Sequence, residues 1–214
     1  SSSTEVTGVA GAGVARVGNW NNLGDDKKRS FGDEAGELLY FDDGEIVPGV
    51  SIEWASDLDS SKPGNLERDT HNEIKTSKPY DDQDLRLFEG YLYTNVYETV
   101  GVDIKGLDQH FRSYDVFVYL DADNSKSKSR TSIRSITDGM TTFYLNDADG
   151  NTFTGEYVEV TSTTANTAQV GNYVVFRGLT QSVVNIRIDN DTTISKASSH
   201  VPDNRACSAD TRMF

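Results

Sequence analysis

A chain of 214 residues with a formal charge of −14, a pI near 4.5 and a mean hydropathy of −0.54 repels phosphate backbones and anionic lipid, so nucleic acid and membrane surfaces are not its expected partners. A single cysteine, Cys207, rules out an intrachain disulfide, and without a His/Cys cluster no zinc site is expected. The length suits one all-β domain over 1–214, since sandwiches run to roughly 200–250 residues as one unit.

Taken in chain order, residues 5–17 (EVTGVAGAGVARV) mix valine with glycine and read as an opening strand or two around a tight turn. Gly8, Gly11 and Gly13 have the wrong spacing for a dinucleotide loop, and no amphipathic helix follows. Residues 19–22 (NWNN) place an aromatic ring among amides, and 25–29 form a charged loop. Residues 38–41 precede Asp42, Asp43 and Gly44, a turn that predicts a hairpin into 50–54. Residues 55–84 are polar, a long loop of the kind that is usually functional or disordered.

Strands then become dense: 85–94, 97–104, 114–120, 141–145, 153–163, 172–177 and 183–188. Recurring every 10 to 15 residues with turn signals between them, they predict an antiparallel β-sandwich, jelly-roll-like, with long loops. The strand beginning at Tyr114 is the most informative. Val116, Val118 and Leu120 share one face and Phe117 and Tyr119 the other, so both faces are apolar and the strand belongs inside a sheet. The tail 203–214 lacks apolar alternation, and 205–214 reads as an atypical or disordered end.

Of the 34 acidic residues, 23 are Asp and 11 Glu. Asp is a poor former of helix and strand, so the excess is expected in loops. Asp121, Asp123 and Asn124 close the Tyr114 strand, Asn146, Asp147, Asp149 and Asn151 follow another, and Asp189, Asn190 and Asp191 end the last. Oxygen-rich runs of this kind suit Ca²⁺, a hard cation. The simpler alternatives are solvated Asp/Asn turns, an Asp-Gly hairpin at 149–150, and acidity that only maintains solubility in salt. The first and third runs are expected to meet at one end of the sandwich.

His71, His110 and His200 lie far apart and outside any nucleophile or metal motif, so no catalytic residues are assigned and the chain reads as a non-enzyme. Among the aromatic residues Trp20 is placed for stacking and hydrogen bonding, with Asn22 beside it, although the asparagines would equally satisfy backbone groups around a packed indole.

The ordered series NWNN at 19–22, LFEGYL at 87–92, Gly106-Leu107, YDVFVYLD at 114–121, GNYVVF at 171–176 and Gly178-Leu179 resembles the β-sandwich ligand-binding domains near the C-terminal end of repeats-in-toxin adhesins, in particular their calcium-dependent peptide-binding domain. It spans residues 6–190. Related sandwiches also accompany polysaccharide-degrading enzymes, where they act as carbohydrate-binding modules. The resemblance implies a non-catalytic, calcium-bearing, monomeric module of a larger secreted protein that holds a peptide end or glycan on host or algal cells. It carries over only Asp121 and Asp123, as a metal site; the same two residues are expected to contact the ligand through that calcium. No signal peptide, lipidation motif or long apolar run is present, so a soluble piece of a longer chain with its export signal elsewhere is expected.

Overall fold

The computed structural model describes residues 6–21, 31–33, 39–55, 82–88, 92–94, 99–122, 133–146, 153–190 and 207–210. In chain order its strands are β1 (Phe31–Asp33), β2 (Ser51–Ala55), β3 (Leu92–Thr94), β4 (Thr99–Lys105), β5 (Tyr114–Ala122), β6 (Ile133–Thr137), β7 (Thr142–Asn146), β8 (Gln169–Val170), β9 (Tyr173–Leu179), β10 (Val183–Asn190) and β11 (Cys207–Asp210). They form a seven-stranded sheet in the order β1-β2-β4-β10-β6-β7-β8 and a four-stranded sheet in the order β3-β11-β5-β9. Every pairing is antiparallel except β7 with β8. The chain crosses repeatedly from one sheet to the other, and the all-β sandwich expected from the sequence is what forms.

The inter-sheet core joins Val100, Val102 and Ile104 of β4 and Val184, Ile186 and Ile188 of β10 to Val116, Val118 and Leu120 of β5 and Val174 and Phe176 of β9. Each set follows the two-residue period of a strand. The odd face of β5 does not go to solvent. Phe117 and Tyr119 enter a second cluster with Val175, Val6, Ala10, Ala12, Ala15, Trp20, Leu85, Leu87, Phe88 and Phe153. Thus β5 is interior to its sheet and buried on both faces.

Several elements differ from the sequence reading. Residues 10–17 form no extended strand: Ala10 and Val17 pair as an isolated bridge around a 3₁₀ turn at Gly13–Ala15. Gly11 adopts φ +106, and a Cβ there would stand 2.4 Å from the Ala15 carbonyl oxygen. The turn at 42–44 does make a hairpin, but its return arm is 45–47, shown by the Tyr40↔Ile46 bridge. β2 instead pairs with β1 and β4.

The predicted strand over 85–94 is divided. A short helix, α1 (Gln83–Leu87), comes first because Asp82 caps it, accepting from the Asp84 and Leu85 amides, and buries Leu85 and Leu87. Only Leu92–Thr94 is strand. Residues 153–163 likewise run irregularly beside β9, touching it by the parallel bridge Glu159↔Tyr173. The tail contributes β11, which pairs with both β3 and β5. Main-chain pairing recruits this four-residue strand without apolar alternation. Asp also proves less confined to loops than expected, since Asp103, Asp115, Asp121 and Asp189 lie within strands.

Ile186, fully buried in β10, should lose about 2–5 kcal/mol of stability on replacement by Ala, through lost transfer energy and the cavity left. Val183, at the exposed start of the same strand, should change stability by no more than about 0.5 kcal/mol when replaced by Ala. Urea denaturation of the two variants checks the contrast.

Candidate functional site

Strand direction decides where the acidic runs go. β5 and β10 start at the same end, because the Tyr114 hydroxyl donates to the Gln181 carbonyl just before β10. Both therefore finish at the opposite end. There β4 begins, with Thr99 opposite Asp189, and β6 begins where β7 ends, with Ile133 opposite Asn146. The two sheets are tied at this pole through adjacent residues: the Gly171 amide donates to Asn146 O at 3.1 Å and the Leu120 amide to Asn172 O at 2.9 Å. The described ends of β5, β7 and β10, with Asp121, Asn146 and Asp189, thus stand at one pole.

The individual residues are less completely placed. Asp121 is in β5, its backbone opposite Ser208 of β11, rather than on the loop expected from the sequence. Asp189 is also in a strand, and its Oδ1 accepts from Thr99 Oγ1 on the neighbouring β4. Asp123, Asn124, Asp147, Asp149, Asp191 and Asn22 lie outside the described residues. Among the described residues Asn146 Oδ1 is buried without a hydrogen-bond partner, an acceptor whose desolvation costs about 1–3 kcal/mol unless something satisfies it. A hard cation fits such a donor set of carboxylate and amide oxygens. Among the described residues no three His, Cys, Asp or Glu side chains assemble as a metal-holding group.

Trp20 is 7 % exposed, and its indole N–H donates to Val17 O at 2.9 Å. This favours the structural reading of Trp20 over the stacking one. Its neighbours act as main-chain surrogates: Asn19 donates to Phe41 O at 2.7 Å, while Asn21 donates to Tyr40 O and accepts from Tyr40 N, both at 2.8 Å. Asn172 does the same elsewhere, accepting from Val158 N at 2.9 Å and donating to Glu156 O at 2.8 Å. Gly171 before it is required by close approach, since a Cβ would lie 2.5 Å from Val160 Cγ2 and 2.7 Å from Val158 O. Two of the motifs that carry the resemblance therefore have direct structural roles.

Sequence reasoning missed a polar clasp on the outer face of the four-stranded sheet. Asp84 Oδ1 accepts from the Gly11 amide at 3.0 Å, the Tyr157 hydroxyl at 2.8 Å and Arg16 Nη1 at 3.0 Å. Nearby, the Ala12 amide donates to the Tyr119 hydroxyl at 2.9 Å. Phe88, Phe153 and Tyr173 surround these phenols, with Phe88 and Phe153 stacked at a centroid distance of 4.5 Å. Its hydrogen bonds to Asp84, Tyr119 and Tyr157 join residues 68 to 146 apart along the chain, and no local motif announces it. Burial first, then the bond to Asp84, pushes the Tyr157 phenol far above its ordinary value. At neutral pH it is a fixed donor rather than an acid or base. His110 is also engaged structurally, with Nε2 2.6 Å from Pro48 O and its ring edge-on to Phe41.

No protein-family model, curated protein or solved structure matches the chain.

Because Tyr157 is raised in the folded state, the native protein keeps a proton that the unfolded chain loses above about pH 10, the ordinary tyrosine value. Its contribution is complete below that pH and is lost as the pH rises through the folded value. Tyr157→Phe should cost about 1.5–3 kcal/mol at pH 7 by removing a hydrogen bond to a carboxylate. It should also make the decline of stability above about pH 10 shallower. Urea midpoints at pH 7, 9 and 10.5 for both proteins measure the two effects.

Proposed function

We propose that the chain is a non-catalytic, calcium-dependent ligand-binding module of a large secreted bacterial adhesin, which holds peptide ends or glycans of cell surfaces at its acidic pole. The observation that carries this reading is the common end of β5, β7 and β10, from which all three oxygen-rich runs leave. The resemblance of the NWNN, YDVFVYLD and GNYVVF segments to adhesin ligand-binding domains supports the same reading. So does the packing of both tryptophans, Trp20 and Trp54, since neither indole is left as a flat stacking platform and recognition falls to the loops.

The metal set is Asp121, Asp123, Asn124, Asp147, Asp149, Asp189 and Asp191, with Asn146 beside it. Calcium takes six to eight oxygen ligands and can give one position to a carboxylate or to vicinal hydroxyls of the ligand. Asp189 is oriented for this by Thr99. The run at Asp121 is anchored by its strand, whose backbone is paired on both sides by β9 and β11.

A cation that binds only the folded state stabilises it by RT ln(1 + [L]/Kd), about 4 kcal/mol at a thousandfold excess over Kd. The melting temperature should therefore fall when EDTA replaces calcium at fixed ionic strength; an unchanged value counts against the metal. Peptide and glycan arrays should show calcium-dependent binding that Asp121→Ala and Asp123→Ala, each confirmed folded, reduce at least tenfold. Wild-type affinity in both variants would place the ligand elsewhere. Lyase and hydrolase assays on alginate, carrageenan, agar and chitin should give background only. Reproducible turnover abolished by one carboxylate change would make the domain an enzyme.

A further inference from the structure

The turn that joins β6 to β7 lies at the end of the sandwich away from the acidic pole, since Ile133 and Asn146 pair at the pole itself. Short side chains hold its main chain. Asp138 Oδ1 accepts from the Met140 amide at 2.9 Å and from the Thr141 amide at 2.7 Å, and Thr137 Oγ1 accepts from the Gly139 amide at 3.0 Å. Gly139 supplies the left-handed position, with φ +87. The Met140 side chain is nevertheless 80 % exposed and belongs to neither core cluster. Apolar burial does not account for where it stands.

A polar contact does. Gln181 Nε2, from the turn between β9 and β10, donates to the Met140 sulfur at 3.3 Å. The direction of that amide is set independently, because Gln181 Oε1 accepts from the Thr180 amide at 3.0 Å and so leaves the NH₂ side facing the sulfur. The main chain of Gln181 is anchored as well, its carbonyl taking the Tyr114 hydroxyl at the start of β5. An oriented donor thus faces an exposed thioether, which is only a weak acceptor.

We infer that Met140 is a modification site for oxidants of the peroxide class, and that Gln181 holds the resulting sulfoxide. A sulfur lone pair attacks one oxygen of hydrogen peroxide; the S–O bond forms as the O–O bond breaks, and the sulfur gives up two electrons. The departing hydroxide removes the proton from the transferred oxygen and leaves as water. Susceptibility follows exposure, and exposure here is high. The sulfoxide oxygen is a much stronger acceptor than the sulfur, and the unbranched, exposed side chain can turn to bring it to the Gln181 NH₂. A sulfoxide inside a core disrupts packing, whereas at this turn it disturbs neither cluster and tightens the tie between the β6–β7 and β9–β10 turns. The site lies at the opposite end from the acidic pole, so the inference is independent of calcium.

The test treats the full chain with hydrogen peroxide and follows Met140 by peptide mass mapping, once folded and once in urea. The folded rate should lie within about threefold of the unfolded one; a folded rate at least tenfold slower overturns the site. In NMR spectra of the oxidised protein the Gln181 side-chain amide protons should shift and exchange with water at least about twofold more slowly. Methionine sulfoxide reductases of both epimer specificities should reverse this. Gln181 amide resonances that stay where they were remove Gln181 from the proposal. Met140→Leu, which keeps Met213 and Cys207, should show no shift at Gln181; the same shift in that variant assigns the effect to another oxidised side chain and overturns the inference. The melting temperature should stay within about 2 °C of the reduced value, and a larger fall that Met140→Leu abolishes means that oxidation breaks packing instead of strengthening the tie.

Discussion

A strand that is apolar on both faces has to be covered twice, and most of this architecture follows from that demand on β5. One face meets the seven-stranded sheet through Val116, Val118 and Leu120. The other carries Phe117 and the fully buried Tyr119, which no further sheet covers. A one-residue slip in register would exchange the two sets and set aromatic rings where valines fit. The outer cover is assembled from pieces that are distant in sequence: 6–20, α1 and the Phe153 region. Tyr119 adds a polar condition, because a buried hydroxyl needs a partner, and it receives the Ala12 amide. The path of the amino-terminal segment is thereby fixed at one atom.

Irregular cover brings a second problem, since main-chain groups outside a ladder still need partners. Here Asp, Asn and Gln side chains take the place of neighbouring strands. Asp42 accepts from the Gly18 and Asn19 amides, Asp138 from Met140 and Thr141, Asp115 from Gly178, and Gln169 from Thr161 and Ser162. Ionised carboxylates only accept, which suits them to orphaned amides. Part of the acid excess thus has a structural use that composition alone would assign to solubility or to metal. This also explains why the NWNN motif, with its appearance of a ligand platform, is a staple between 19–21 and the hairpin at 40–42.

The central strands were legible because their burial repeats with period two. The two-sided apolarity of 114–120 correctly placed β5 inside a sheet, and β4, β7, β9 and β10 were found near their true bounds. What escaped was structure without periodicity. β6 lies in a polar run where only Ile133 and Ile136 mark it, and β11 has four small or polar residues and owes its place to the strands on either side. In 85–94, Leu85 and Leu87 alternate as in a strand while Leu85 and Phe88 stand at the i, i+3 spacing of a helical turn, and the Asp82 cap decides. The acidic pole was half legible. The shared end of β5 and β10 could be guessed from the sequence, but placing the end of β7 at Asn146 beside them needed the Gly171 and Asn172 tie. The Asp84 clasp was not legible at all, because its partners come from three remote segments.

The two cores differ in what depends on them. The inter-sheet core contains no residue from 6–17, whereas the outer core consists of that segment, α1 and the rings they cover. The pairing of β5 with β9, and of β4 with β10, is main-chain hydrogen bonding in which the outer layer takes no part. The strand ends at the acidic pole are positioned by the ladder and the inter-sheet core. The geometry presented there is therefore set by the ladder and the inter-sheet core, to which the segment across the other face contributes no residue.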